Sequence, residues 1–214
     1  MKHFFRFLFF ITLTTNAQDF ETYYQKAVND YEDGFYESPA INKAIELCLD
    51  ISKYPDLLIY KATYLDYNNE KLLAIKYGRL ALDLAKKEKD RFLALDFLAF
   101  VYSSSDDLKK STQYYKEALV LAKKLNLSDR VEEIEFNILL RNFDEAEDKK
   151  YAIQKLIDFY LSLPETTPIE VKLSYMVIIV DLNQGYSMSE KFEALKENIT
   201  KNFDKTTLDP FFLG

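Results

Sequence analysis

Glycine is scarce: the 214-residue chain has four, so few positions can adopt the backbone conformations other residues avoid. Many-stranded sheets and phosphate-cradling loops both draw on such positions, and Rossmann-type and P-loop architectures lose their backbone requirement. Tryptophan is absent, and cysteine and histidine occur once each, at Cys48 and His3. A lone cysteine forms no intramolecular disulfide. Cys48 sits in the apolar stretch AIELCLDI with no basic neighbour to favour a thiolate, and it reads as a small buried hydrophobe. His3 lies in a segment read below as removable. Its loss leaves no imidazole for a Ser-His-Asp or Cys-His nucleophile or for a His-ligated metal. The expected sets of catalytic, cofactor-binding and metal-binding residues are all empty.

What is present begins with a targeting segment. Residues 1–17 run from a positive start at Lys2 and Arg6, through an apolar middle from Phe7 to Leu13, to a small-residue exit at Thr15 and Ala17. That is the form of a bacterial-type secretory signal peptide cut before Gln18. The apolar run is far below the roughly 20 residues of a membrane-spanning helix. The expectation is a periplasmic or secreted protein with no stable membrane span after cleavage. The whole chain carries 28 basic and 35 acidic side chains, a net charge of −7. Without Lys2 and Arg6 the balance is 26 against 35, or −9, which argues against nucleic acid as a partner.

The chain also repeats itself. At a shift of 37 residues, Ala81-Leu-Asp-Leu-Ala-Lys-Lys87 falls on Ala118-Leu-Val-Leu-Ala-Lys-Lys124, Leu58 on Leu95, Ala62 on Ala99 and Tyr77 on Tyr114. Each unit divides into two segments with apolar residues at helical spacing. Prolines fall between segments: Ser38-Pro39 pairs an N-cap with a first-turn proline, Pro55 opens a unit, and Pro164 and Pro168 flank a loop. Gly34 and Gly185 sit where a helix must turn back, whereas Gly78 lies inside a helix and predicts close packing. The β-branched run Met176-Val-Ile-Ile-Val180 has strand propensity. A lone strand would leave its backbone unpaired, so a helix is expected there.

These residues resemble the tetratricopeptide repeat. Ala99, Tyr102, Ser111, Tyr115 and Ala118 follow that family's spacing of small and aromatic positions throughout, while Ala62, Leu65, Ala74, Gly78 and Ala81 follow it with the aromatics lost. The family's tryptophan and its proline after the second helix are missing, and the period exceeds the usual roughly 34 residues. The resemblance implies an all-α, right-handed α-solenoid of about five antiparallel helix pairs, at about 18–53, 55–90, 92–126, 129–163 and 168–203. In the fourth pair Leu140, Phe143, Ala152, Leu156 and Phe159 keep the spacing after a short insertion; Met176, Ile179, Met188, Phe192 and Leu195 do so more loosely in the fifth. The narrow apolar stripe of the last helix suits a capping role, and the tail 204–214 reads as a flap over it. An interior second helix needs a wide apolar face, which Leu72, Leu73, Ile75, Tyr77, Leu80, Leu82 and Leu84 are expected to supply.

The resemblance also implies a concave groove lined by the first helices. Carried across position by position, it places Lys26, Asn29, Ile59, Thr63, Asp66, Asp96, Phe100, Ser103, Asn137 and Arg141 there. This set lacks the family's Lys and Asn clamp for a C-terminal carboxylate; an apolar segment with some basic residues suits it better. Acidic clusters at Asp106-Asp107, Glu132-Glu133 and Asp144-Glu145 with Glu147-Asp148 read as helix caps. The lysine pairs at 86–87, 123–124 and 149–150 read as complements to helix dipoles. The expected function is a non-enzymatic scaffold that holds a protein or peptide partner. A sensor portion of a longer signalling protein is the alternative, and a carboxylate-only glycan hydrolase is a remote one.

Overall fold

The computed structural model describes residues 18–183 and Tyr186. The signal segment, Gly185, the expected capping helix with Met188, Phe192 and Leu195, and the tail lie outside these residues. Among the described residues every extended element is a helix, in agreement with the all-α expectation. They are α1 (residues 18–32), α2 (Pro39–Leu47), α3 (Pro55–Tyr67), α4 (Lys71–Leu84), α5 (Glu88–Ser103), α6 (Leu108–Lys124), α7 (Ser128–Glu145), α8 (Lys149–Leu161) and α9 (Ile169–Asn183), with a 3-10 turn at Ile51–Lys53. Met176 to Val180 lie within α9. No described helix is long and apolar enough to cross a membrane.

The helix boundaries follow local chemistry. Ser38 caps α2 by accepting a hydrogen bond from the Ala40 N–H at 3.1 Å, with Pro39 in the first turn, and Pro55 opens α3. Asp107 and Asp148 cap α6 and α8 through the N–H groups of Lys110 and Tyr151. The scarcity of glycine is met at the turns by other residues. Asn69, Asp106 and Asn126 hold φ of 61°, 58° and 56°, the left-handed region that Asn and Asp tolerate better than most side chains. Asn69 and Asp106 stand one 37-residue period apart, so the repeat extends to its turns. Gly34, with φ of 77°, turns the chain between α1 and α2.

The chain divides into two compact units, with the boundary between Leu125 and Asn126. The first holds α1 to α6. Its first helices neighbour one another: Tyr31 of α1 stacks on Tyr60 of α3 with ring centroids 4.3 Å apart, and α3 packs on α5. Leu58, Ile59, Ala62, Leu65, Ala94, Leu98 and Val101 form the centre of the packed region. Every repeat position that carried the family resemblance in these pairs is buried, from Ala62 and Ala74 to Tyr115 and Ala118. Ser111 is fully buried and bridges the pair by donating its hydroxyl to the Ala99 carbonyl at 2.9 Å. At Gly78 a Cβ would stand 2.8 Å from Phe97 Cδ1 and 3.0 Å from Leu98 Cδ2, so the missing side chain is what lets α5 approach α4.

The wide apolar face expected of α4 is met only in part. Leu72 is 86% exposed, and Leu73 and Leu80 are each 43% exposed. The helix buries Ala74, Gly78 and Ala81, and of the expected face Ile75, Tyr77, Leu82 and Leu84 do pack against the core while these three leucines do not. Small residues allow a close backbone approach, and that approach turns the larger leucines outward.

The second unit holds α7 to α9. Phe136, Leu156, Ile157, Met176 and Ile179 are its fully buried centre. Phe136 stacks on Tyr175 with centroids 4.0 Å apart, which ties α7 to α9. Lys149, the first residue of α8, donates from Nζ to the carbonyls of Phe143 and Asp144 at 2.6 and 2.9 Å, and so satisfies the C-terminal end of α7.

Candidate functional site

In the first unit, the expected groove residues fall on one helical stripe each in α3 and α5. Thr63 and Asp66 on α3 correspond, one period on, to Phe100 and Ser103 on α5, and Asp96 lies one turn before Phe100. Phe100 is 56% exposed although Ala99 and Val101 on either side are fully buried. Asp66 is half-buried; its Oδ1 atom is enclosed and has no hydrogen-bond partner. Burial holds the Asp66 carboxyl above the usual carboxylate range, against an opposing pull from Lys71. The Thr63 hydroxyl is occupied within its own helix, donating to the Ile59 carbonyl at 3.0 Å. On α1, Asn29 is exposed and Lys26 pairs with Asp30 at 3.2 Å.

Ile59 is corrected. It is 1% exposed, within the run Leu57 to Tyr60 that is buried on every side, and it belongs to the core. A first helix enclosed by the preceding pair and the following helix has no free face at that level, so the family's groove spacing overestimates the accessible stripe by a turn.

Beside this stripe, Asp56 at the start of α3 accepts hydrogen bonds from the hydroxyls of Tyr24 at 2.7 Å and Tyr60 at 3.4 Å. Burial pushes both tyrosine hydroxyls well above their ordinary range, and the Asp56 charge adds to it. These contacts tie α1 to α3. Cys48, expected to be buried, is only half-buried at the end of α2, and burial still holds its thiol above the usual range. It is therefore a poor nucleophile.

In the second unit a cavity of about 360 Å³ opens between α7, α9 and the connection before α9. Asp129, Glu132, Glu133, Asn137 and Leu140 of α7 line one wall; Thr167, Pro168, Val171, Tyr175 and Ile178 are among the residues opposite. Of the sequence-predicted residues, Asn137 is in this wall. Arg141, one turn on, pairs with Asp144 at 3.3 Å while its Nε atom is enclosed without a partner. The wall contains three carboxylates and no lysine or arginine. Glu132 accepts the buried Thr167 hydroxyl at 3.0 Å, and Glu133 is paired with Arg130. Tyr175 is 6% exposed and its hydroxyl makes no hydrogen bond among the described residues. Burial, reinforced by Glu133 and Glu132, pushes that hydroxyl up to about 12.

The acidic clusters are thus only partly caps. Asp107 and Asp148 fill that role. Glu132 and Glu133 lie a full turn inside α7, whose N-cap is Leu127, and Asp144 and Glu145 stand at its C-terminal end, where the dipole disfavours them. The pocket was readable in principle: 129, 133, 136, 137 and 140 share one face at helical spacing, and acids mixed into an otherwise apolar stripe are unusual for a core-facing side. Among the described residues, no group of three or more metal-ligating side chains lies together.

Among the described residues the chain is all-helical, with side chains of α3 and α5 that face solvent beside the buried core. No protein-family model matches the sequence. No curated protein matches it either. Among solved structures, the chain is similar to the crystal structure of BtubC (BKLC) from P. vanneervenii, with 13% identity, 88% of each chain covered and a TM-score of 0.60. At that identity the likeness extends to the helical fold alone.

Proposed function

We propose that the protein is an exported, non-enzymatic binding scaffold: a divergent tetratricopeptide-like array of five helix pairs that holds a partner protein segment along its first helices. The observation that carries this reading is the stripe on α3 and α5. An aromatic ring more than half in water on α5 and a carboxyl group with one enclosed, undonated oxygen on α3 stand about one helical turn out of step on neighbouring helices. Each is unfavourable in isolation, since the ring forgoes burial and the oxygen forgoes a hydrogen bond. A bound segment that covers Phe100 gives the ring apolar contact, and a basic residue in it offsets the Asp66 charge. The acidic balance of the chain favours basic residues in that segment.

The test is affinity capture from the native envelope and medium, with the mature protein as bait. A specific partner is expected that is lost with Phe100→Ala and with the Asp66→Asn, Asp96→Asn pair, while circular dichroism of each variant stays native. Capture that ignores all three substitutions would reject the reading.

A further inference from the structure

The α7–α9 pocket has features that core packing does not explain. Asp129 falls in the first turn of α7, where the helix dipole accounts for a carboxylate. Glu132 and Glu133 are beyond that turn; Glu132 accepts the Thr167 hydroxyl and Glu133 pairs with Arg130. Arg130 offsets one charge of the three, so the pocket keeps a net negative wall. Within it, Tyr175 is more than nine-tenths buried, and its hydroxyl, which makes no hydrogen bond among the described residues, is open to the pocket rather than enclosed. Asn137 likewise contributes an amide with no hydrogen bond among the described residues. The rest of the lining is apolar, from Leu140, Val171 and Ile178. A neutral apolar occupant would strip water from Asp129, Glu132 and the Tyr175 hydroxyl without replacing it, and an anion would be repelled.

We infer that this pocket receives a lysine or arginine side chain of the partner segment, its ammonium or guanidinium donating to Glu132, Asp129 and the Tyr175 oxygen while the alkyl stem lies on Leu140 and Ile178. A volume of about 360 Å³ accommodates one long side chain and part of its apolar neighbour. Arginine and lysine are the side chains that combine an apolar stem with several donors on a cationic head. The inference rests on the scaffold reading above and specifies the chemistry of one subsite.

Its test uses fluorescein-labelled heptapeptides in which a single central residue, flanked by leucines, is lysine, arginine, Nε-acetyl-lysine, norleucine or glutamate. Fluorescence polarisation with the mature protein is expected to rank lysine and arginine at least about tenfold tighter than acetyl-lysine and norleucine, the scale of one desolvated charge pair. That preference should shrink with added salt, with Glu132→Gln combined with Asp129→Asn, and with Tyr175→Phe, which removes only the hydroxyl. Ile178→Trp, which fills the cavity, should abolish it while the melting curve stays cooperative. Equal binding of the lysine and norleucine peptides, or a lysine preference that all these variants retain, would overturn the inference. n-Butylguanidinium binding as tightly as the arginine peptide would also overturn it, by assigning the pocket to a small free cation. A native partner that depends on Phe100 and Asp66 but binds the Glu132→Gln, Asp129→Asn variant at full strength would reject this subsite and leave the scaffold reading intact.

Discussion

The two units arrange their first helices differently. In the first, α4 ends at Leu84 and α5 begins at Glu88, so three residues join one pair to the next. In the second, α8 ends at Leu161 and α9 begins at Ile169, and the seven-residue connection carries Thr167 and Pro168 into the wall beside α7. The short link accompanies close packing of α4 on α5, with Gly78 against Phe97, and a stripe on α3 and α5 that ends in an exposed ring. The long link accompanies an acid-walled cavity. Link length alone is not decisive, because the link between α2 and α3 in the first unit is also seven residues long; what the second unit adds is Thr167 and Pro168 beside the acids of α7.

The sharpest way to probe this contrast is to weaken one unit at a time. Leu98 and Leu156 are both fully buried, and replacing either with alanine is expected to cost about 2–5 kcal/mol through lost transfer energy and the cavity left behind. Calorimetry of the full chain should show Leu98→Ala and Leu156→Ala lowering different parts of the unfolding profile. Identical profiles for the two would show that the units unfold as one and would weaken the contrast.

Next in size is Gly78→Ala. Alanine favours a helix over glycine by about 1 kcal/mol. Here its methyl meets the buried Phe97 ring, and overpacking costs about 1–3 kcal/mol. A net fall in Tm is expected, reduced when Phe97→Leu is added. A gain in stability would mean that α5 can retreat freely and that close approach does not define the first unit. The N-caps form a matched pair of smaller probes. Asp107→Ala and Asp148→Ala should each cost about 1 kcal/mol, read as a shift in the urea midpoint with unchanged slope.

Much of this organisation was legible from residues alone. Strong periodicity and proline at first turns agree with the helical character of the described residues and with the starts of α2 and α3, and the reading of Gly78 as a packing contact agrees with the space Phe97 occupies. Three features were not legible, each for a physical reason. Helical spacing gives the direction of a side chain but not how many neighbours surround its helix, so it assigns Ile59 to a surface that the fold encloses. Amphipathicity overstated how α4 uses its leucines, because small residues set the depth of approach. The pocket depends on the link that ends at Thr167 and Pro168, and its placement beside Glu132 is a tertiary fact with only a faint trace in the α7 pattern.

Alkaline titration tests both units at once. Tyr24 and Tyr60 in the first, and Tyr175 in the second, have hydroxyls raised above the ordinary tyrosine value by burial. The unfolded chain ionises near pH 10 while the fold keeps these groups neutral, so their contribution is complete below that value and is lost as pH rises. For Tyr175 the loss should run from about pH 10 to about 12. Tyr175→Phe is expected to flatten that part of the stability curve, and Tyr24→Phe and Tyr60→Phe the part belonging to the first unit. A curve unchanged by all three would mean that the rings are already open to solvent.

The smallest effect is the most telling for function. Burial raises the Asp66 carboxyl, so its protonated form favours the fold; that contribution is present at acid pH and is lost as pH rises through the raised value. At neutral pH the carboxylate is therefore held at a cost. Asp66→Asn should raise Tm slightly at pH 7, leave it nearly unchanged at acid pH, and weaken partner capture. Glu132→Gln in the second unit should show no such gain, because it exchanges a charge-assisted bond from Thr167 for a weaker one. A residue whose neutral replacement stabilises the fold and weakens binding is maintained for its ligand rather than for packing. If Asp66→Asn lowers Tm at pH 7, or leaves capture intact, Asp66 belongs to the scaffold and the α3–α5 stripe loses its strongest argument.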